Sequence, residues 1–337
     1  MRQTWKTLLI LGCLLSFVAL LGVFNASKPR ILVLHSLGQD SLWVAEVDRG
    51  MREALDANRR PVSVEWMYMD VGASTVRDRV GQAQADARRA MDRVDPDVLI
   101  AVDDEANLLV ARDYIDRRSP RILYLSLDRP PADYGYVGAS NVSGIAEQLP
   151  FAAVRDAAIT LFEGRAATAS VVGVDGVTGQ AEMAQVRDFD WGPLTVTATE
   201  LASTAVGWRD FVTGTRSDVL IVLSCRDLPE EDGGVFTAAD AIRWTQDNSR
   251  ALPIGTQVDF VRDGGVLSFS PPPDDYGKRA IELALDWLDD RTTPGPPPPL
   301  ESPHFQVALR QGALAARGFS LPPIYVEAAR EVNALFP

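Results

Sequence analysis

Two stretches of the chain echo one another. Asp95-Pro-Asp-Val-Leu-Ile-Ala-Val-Asp-Asp-Glu-Ala106 and Arg216-Ser-Asp-Val-Leu-Ile-Val-Leu-Ser-Cys-Arg-Asp227 each pass from polar residues through a short unbroken apolar run and out to polar residues again. An apolar strand without alternation belongs to a parallel sheet covered by helices on both faces. Two copies of it imply two such sheets. At 337 residues the chain is long enough for two domains, each with its own core. The expected fold class is therefore α/β, with two doubly wound parallel-sheet lobes joined by a hinge. In open parallel sheets ligands sit beyond the carboxyl ends of the strands, where Asp103, Asp104, Ser224 and Cys225 fall.

The rest of the pattern fits this reading. Strands are expected at 30–35, 62–69, 98–102 and 121–126, separated by helices at 41–55, 74–94 and 105–117, with Ser41 as a cap for the first. These form a βαβαβαβ unit with crossovers of the length that parallel strands require. Asp133 to Asn141 is rich in turn formers and reads as the passage to the second lobe. From Ile145 the alternation restarts with a helix, then strands at 169–174, 194–199, 219–223 and 253–257 with helices between them. The tail holds one strand (266–269), one helix (276–289), the run Pro294-Gly-Pro-Pro-Pro-Pro299 and a last helix from Leu321. Pieces this small pack on lobes already built.

The N-terminus differs in kind. Arg2 and Lys6 precede an uninterrupted apolar run from Leu8 to Phe24, the pattern of an export signal, so residues 1–27 read as a signal peptide or an N-terminal membrane anchor. No clean small-x-small site follows the run, which is just long enough to span a bilayer, so cleavage and retention both stand. Ile10-Leu11-Gly12-Cys13 resembles a lipoprotein box, although most of the apolar run lies after the cysteine. The expected location is the periplasm or the outer face of the cytoplasmic membrane. A net charge of −13 with two histidines leaves no basic footprint for nucleic acid. Cys225 is the single cysteine beyond the export segment, which excludes an internal disulfide there and a thiolate metal site.

The residues also resemble a known group, the bacterial ABC-transporter substrate-binding proteins of the uncharacterised or aromatic-amino-acid type, with a type I periplasmic-binding fold. Arg30-Ile-Leu-Val-Leu-His-Ser36 with Trp43 and Gly50-Met-Arg-Glu-Ala-Leu55 looks like that family's opening, and Asp95-Pro-Asp-Val-Leu-Ile and Asn141-Val-Ser-Gly144 are similar to its next landmarks. Gly265-Val-Leu-Ser-Phe, Tyr276-Gly277 and Leu321-Pro322 resemble its close. The resemblance implies a hinge crossed more than once, with lobe one at 28–140 plus 262–299 and lobe two at 141–261 plus 300–337. Val102-Asp103-Asp104-Glu105-Ala106 stands where amino-acid binders of the family carry a Gly-Thr-Pro turn, and looks more like the sensor-domain branch.

The expected function is capture of a small polar ligand for an ABC importer, with a ligand-sensing module acting on a membrane signalling partner as the alternative. Ligand-binding candidates are His35 and Ser36 at the first strand end, Trp43 as an apolar wall or a core residue, and Asp103 and Asp104, one capping a helix and the other facing the cleft. Asp128 and Asp175 end strands, Asn141 matches the family's asparagine or bonds its own turn, Gln257 ends a later strand, and Tyr276 begins the tail helix. No cofactor or metal is implied. Enzyme signatures are missing: there is no Gly-x-Ser-x-Gly elbow, phosphate-cradling loop, dinucleotide fingerprint or His-Glu-x-x-His run.

Overall fold

The computed structural model describes residues 12–17, 20, 22, 28–71, 77–127, 129–163, 165, 168–257, 259–289, 296–301 and 304–337. The export segment, Asp128, the start of the helix expected from Ser74 and the head of the proline run thus fall largely or wholly outside the described residues. Among the described residues no helix is long and apolar enough to cross a membrane.

The first sheet is built from β1 (Arg30–His35), β2 (Ser63–Tyr68), β3 (Val98–Val102), β4 (Arg121–Leu125) and β5 (Val142–Ala146). Its helices are α1 (Leu42–Ala57), α2 (Arg77–Val94) and α3 (Asp104–Leu109). Ser41 caps α1 as its sequence position predicts, accepting from Val44 N at 3.5 Å. The second lobe follows with α4 (Phe151–Leu161), β6 (Thr168–Val174), α5 (Val177–Asp188), β7 (Thr195–Ala202), α6 (Ala205–Gly214) and β8 (Val219–Val222). A small hairpin of β9 (Leu228–Pro229) and β10 (Val235–Phe236) precedes α7 (Ala238–Asn248), β11 (Leu252–Gly255), α8 (Asp259–Arg262) and β12 (Leu267–Ser270). The chain closes with α9 (Pro273–Asp289), β13 (Leu300–Glu301), β14 (Gln306–Arg310), α10 (Gln311–Ala316), α11 (Pro323–Glu331) and β15 (Leu335–Phe336).

The two sheets have the orders β13-β5-β4-β3-β1-β2 and β15-β14-β12-β11-β8-β6-β7, parallel throughout except where β12 meets β14. The echoed strands sit inside them for the reason their composition demands. In β3, Val98, Ile100 and Val102 face one core layer with α1 and α9, while Leu99 and Ala101 face another with α2. In β8, Ile221 and Val222 divide in the same way between the two core layers of the second sheet. Both faces are covered, so neither strand has a polar side.

Three expectations are corrected. The segment Asp133 to Asn141 does not pass to the second lobe but leads into β5, which pairs with β4 in the first sheet; Ile145 is a strand residue there. Leu267–Ser270, expected in lobe one, pairs with β11 and β14 and so belongs to the second sheet, whereas Leu300 and Glu301, expected in lobe two, extend the first sheet beside β5. The helix expected at 105–117 stops at Leu109 and continues as a 3₁₀ turn over Ala111–Tyr114, because Val110 leaves the helical region at φ −130°. The chain therefore changes lobes between β5 and α4, between β12 and α9, and between β13 and β14.

The return to the first lobe at α9 is held by close helix packing. Gly50 of α1 and Gly277 of α9 lie at the crossing of the two helices; a Cβ on Gly277 would stand 2.0 Å from the Val47 carbonyl oxygen, and one on Gly50 1.8 Å from that of Asp274. Around them Val47, Met51, Tyr276, Ala280, Ile281 and Trp287 complete one core layer of the first lobe.

Candidate functional site

The strand tips of the two sheets meet across a cavity of about 390 Å³. From the first lobe come Leu37 and Trp43 after β1, Asp103 after β3, Ser126 and Leu127 after β4, and Glu147 after β5. The second lobe supplies Thr178, Glu182 and Gln185 from α5, the turn Leu223–Arg226 after β8, Gln257 after β11, and Asp259, Phe260 and Asp263 around α8. Of the residues expected to bind ligand, Trp43, Asp103 and Gln257 line this space.

Glu182 organises the second wall. It is 5% exposed; Oε2 accepts from Ser224 N at 3.0 Å and Ser224 Oγ at 2.7 Å, and Oε1 accepts from Gln257 Nε2 at 2.8 Å. One carboxylate thus ties two strand-end loops to α5. Opposite, Asp103 sits at φ +70° and accepts from Asp104 N at 2.8 Å, heading α3. Ser36 fixes that turn from beneath: its hydroxyl donates to Val102 O at 2.9 Å and accepts from Ala106 N at 2.8 Å. It is fully buried and positions the acidic turn instead of touching the cavity.

The remaining expected residues lie elsewhere. His35 continues the side of β1 that faces α1, where it is wholly buried, stacked on Tyr68 at 5.0 Å, with Nε2 2.9 Å from Asp48 Oδ1. Asp104 is 6% exposed and accepts from the Tyr134 hydroxyl. Asn141 stands at the opposite, amino end of β5, where Oδ1 accepts from Asp116 N at 2.7 Å and Nδ2 donates to the carbonyls of Tyr114 and Pro120 at 2.9 Å each. Asp175 is exposed and accepts from Gln180 Nε2 at 3.1 Å and Ser203 Oγ at 3.3 Å, outside the lining. Tyr276 is 1% exposed within the first-lobe core. Asp128 lies outside the described residues.

Asp48 shows what His35 does. Burial, the largest single influence, pushes the Asp48 carboxyl up, but hydrogen bonds from His35 and Tyr68, with the charges of His35 and Arg52, hold it below the usual carboxylate range. A folded value below the unfolded one means stability that is present above the ordinary carboxylate pKa and is lost as pH falls through the folded value. Asp48→Asn is therefore expected to flatten the acid limb of stability against pH, read by denaturant melts across the acid range; an unchanged limb would show that the pair contributes nothing.

The electrostatics of the cavity are one-sided. Among the described residues, Asp103, Glu147, Glu182, Asp259 and Asp263 line it with a single guanidinium, Arg226, which donates to Thr178 Oγ1 at 2.8 Å. Burial, then the neighbouring Asp259, raises the Asp263 carboxyl. Burial and the nearby Glu182 and Asp263 push the Cys225 thiol up, so it remains protonated, and His35 is engaged in the first-lobe core. A Cys225–His35 pair does not form.

Sequence reasoning missed Glu182, Ser126, Glu147, Asp259 and Asp263. The signal for Glu182 was the polar stripe Thr178, Glu182, Gln185, whose spacing places all three on one helix face.

Two doubly wound sheets, three chain crossings and a cleft at the facing strand tips define the fold of type I periplasmic binding proteins. Among solved structures, the chain is similar to an ABC domain in complex with L-Trp from Streptococcus pneumonia (TM-score 0.60, 14% identity, 90% of this chain and 98% of that one). It is also similar to the ligand-free, open structure of a substrate binding protein with adhesive properties from Clostridium difficile (TM-score 0.62, 15% identity, 87% and 96%). A leucine binding protein from Thermotoga maritima aligns with TM-score 0.52 and 14% identity over 78% and 83%. Likeness at these identities establishes the fold alone. No family model and no curated protein matches the sequence.

Proposed function

We propose that this chain is an exported solute-binding protein that captures a small polar ligand between its lobes and presents the closed form to the permease of an ABC importer. The observation that carries this reading is the interlobe cavity, walled by the strand tips of both sheets. A ligand that touches both walls favours the closed arrangement by its differential contacts. The likeness in fold to a substrate binding protein and to a leucine binding protein supports the same reading. The apolar run 8–24 would deliver the folded part across the membrane.

The test is a thermal-shift panel of amino acids, nucleosides, sugars and polyamines, with small-angle scattering on each compound that shifts the melt. A ligand at a hundred times its Kd adds about 2.7 kcal/mol of stability. At least one compound is expected to raise the melting temperature and contract the molecule. A panel without any shift, or a shift without contraction, would overturn the reading.

A further inference from the structure

The cavity carries the same sign of charge on both of its walls. Asp103 and Glu147 approach from the first lobe, and Asp259 and Asp263 from the second. Closing the lobes brings these carboxylates together in a space losing its water, so closure without a counter-charge is opposed. Part of the acidity is already engaged: Asp103 receives an N–H, and Asp259 pairs with Arg262. Asp263 accepts no hydrogen bond among the described residues.

A second feature, independent of charge, marks the same space as a ligand site. Ser126 lines the cavity, is 4% exposed, and its hydroxyl has no hydrogen-bond partner among the described residues. A buried hydroxyl without a partner is costly, and here one can come from the cavity. Trp43 and Phe260 add aromatic walls, whose faces attract cations.

Resting on the solute-binding reading above, we propose that the ligand is a small organic dication, a diamine or short polyamine. One ammonium group sits between Asp103 and Glu147 and donates to the Ser126 hydroxyl; the other faces Asp259 and Asp263. Each ammonium removes the repulsion on its own wall, so a ligand with two of them closes the cleft where a monoamine neutralises one side only. A sugar would leave both walls charged. A zwitterionic amino acid would bring a carboxylate to a cavity where Arg226, the one guanidinium among the described lining residues, already donates to Thr178.

The experiment is isothermal titration of the full chain with 1,4-diaminobutane, spermidine, n-butylamine, L-leucine and galactose. The two polyamines are expected to bind, and n-butylamine at least about tenfold more weakly. Asp263→Asn and Glu147→Gln should each weaken 1,4-diaminobutane by about tenfold or more, in protein that circular dichroism shows to be folded. Asp263 is faced by Asp259 and Arg262 on α8, Arg243 on α7 and the Cys225 thiol, and burial followed by Asp259 raises its carboxyl. It gains its proton before an ordinary carboxylate does, so affinity for the dication falls as the pH is lowered, ahead of the point where unperturbed carboxylates titrate. Binding of L-leucine or galactose with contraction, and of neither polyamine, overturns the dication while the solute-binding reading stands. Equal affinity for n-butylamine, or polyamine binding indifferent to both variants, also overturns it. If no compound here or in the wider panel binds, the solute-binding reading itself fails.

Discussion

Replacing Glu182 with alanine is expected to cost the protein about 3 kcal/mol and its ligand site together, because the substitution strips one acceptor from Ser224 N, Ser224 Oγ and Gln257 Nε2 at once. Each of these donors sits where a loop leaves its strand, and the carboxylate is what keeps the two loops against α5. Glu182→Gln keeps one acceptor oxygen but turns an amide N–H₂ toward at least one donor, so its loss should be intermediate. Melts followed by circular dichroism, with titration of 1,4-diaminobutane at a temperature where both variants are folded, give the two readouts. An alanine variant that melts with the parent would show that water replaces the carboxylate without loss.

Gly277→Ala is expected to destabilise the first lobe by about 3 kcal/mol, the upper end of the range for overpacking. The added methyl would meet the Val47 carbonyl at 2.0 Å, and that obstacle is backbone, which cannot rotate aside. Gly50→Ala acts on the same crossing from the other helix, against Asp274 O. Once one methyl has separated α1 from α9 the second meets less resistance, so the double variant should lose less than the sum. Additive losses would mean that the helices do not move as a pair.

The contrast between fold and site legibility follows from what a strand pattern encodes. Val98 to Val102 announces a strand buried on both faces because no polar residue interrupts it, and its neighbours β1 and β4, with β8 of the second sheet, read in the same way. β5 escaped because the turn-rich run up to Asn141 read as the passage between lobes and Ile145 as the start of a helix; Gly144 is there since a Cβ would lie 2.3 Å from the Tyr124 carbonyl oxygen. Both β12 and β13 were assigned to the wrong lobe because sheet membership depends on partners far away in sequence.

The site was legible in the same partial way. Knowing that strand tips face a cleft located Trp43, Asp103 and Gln257, but the tip alone does not say which way a side chain turns. His35 turns toward Asp48 and Ser36 binds the β3–α3 turn, so both support the cleft without entering it. Asn141, singled out by resemblance, closes the far end of the first lobe through three hydrogen bonds to backbone. Glu182 and Asp263 project from or beside helices of the second lobe, and only tertiary packing aims them at the gap.

The crossing of α1 with α9 also governs how the molecule comes into being. Arg49 meets Asp274 across 225 positions, so the helix that seals the early half is made long after it. Until it is made, Ile31, Val33, Val98 and Ile100 present an apolar face that α1 covers only in part. The half made first thus stays open while most of the second half is made, and a nascent chain still lacking residues 273–289 cannot close the first lobe's core layer.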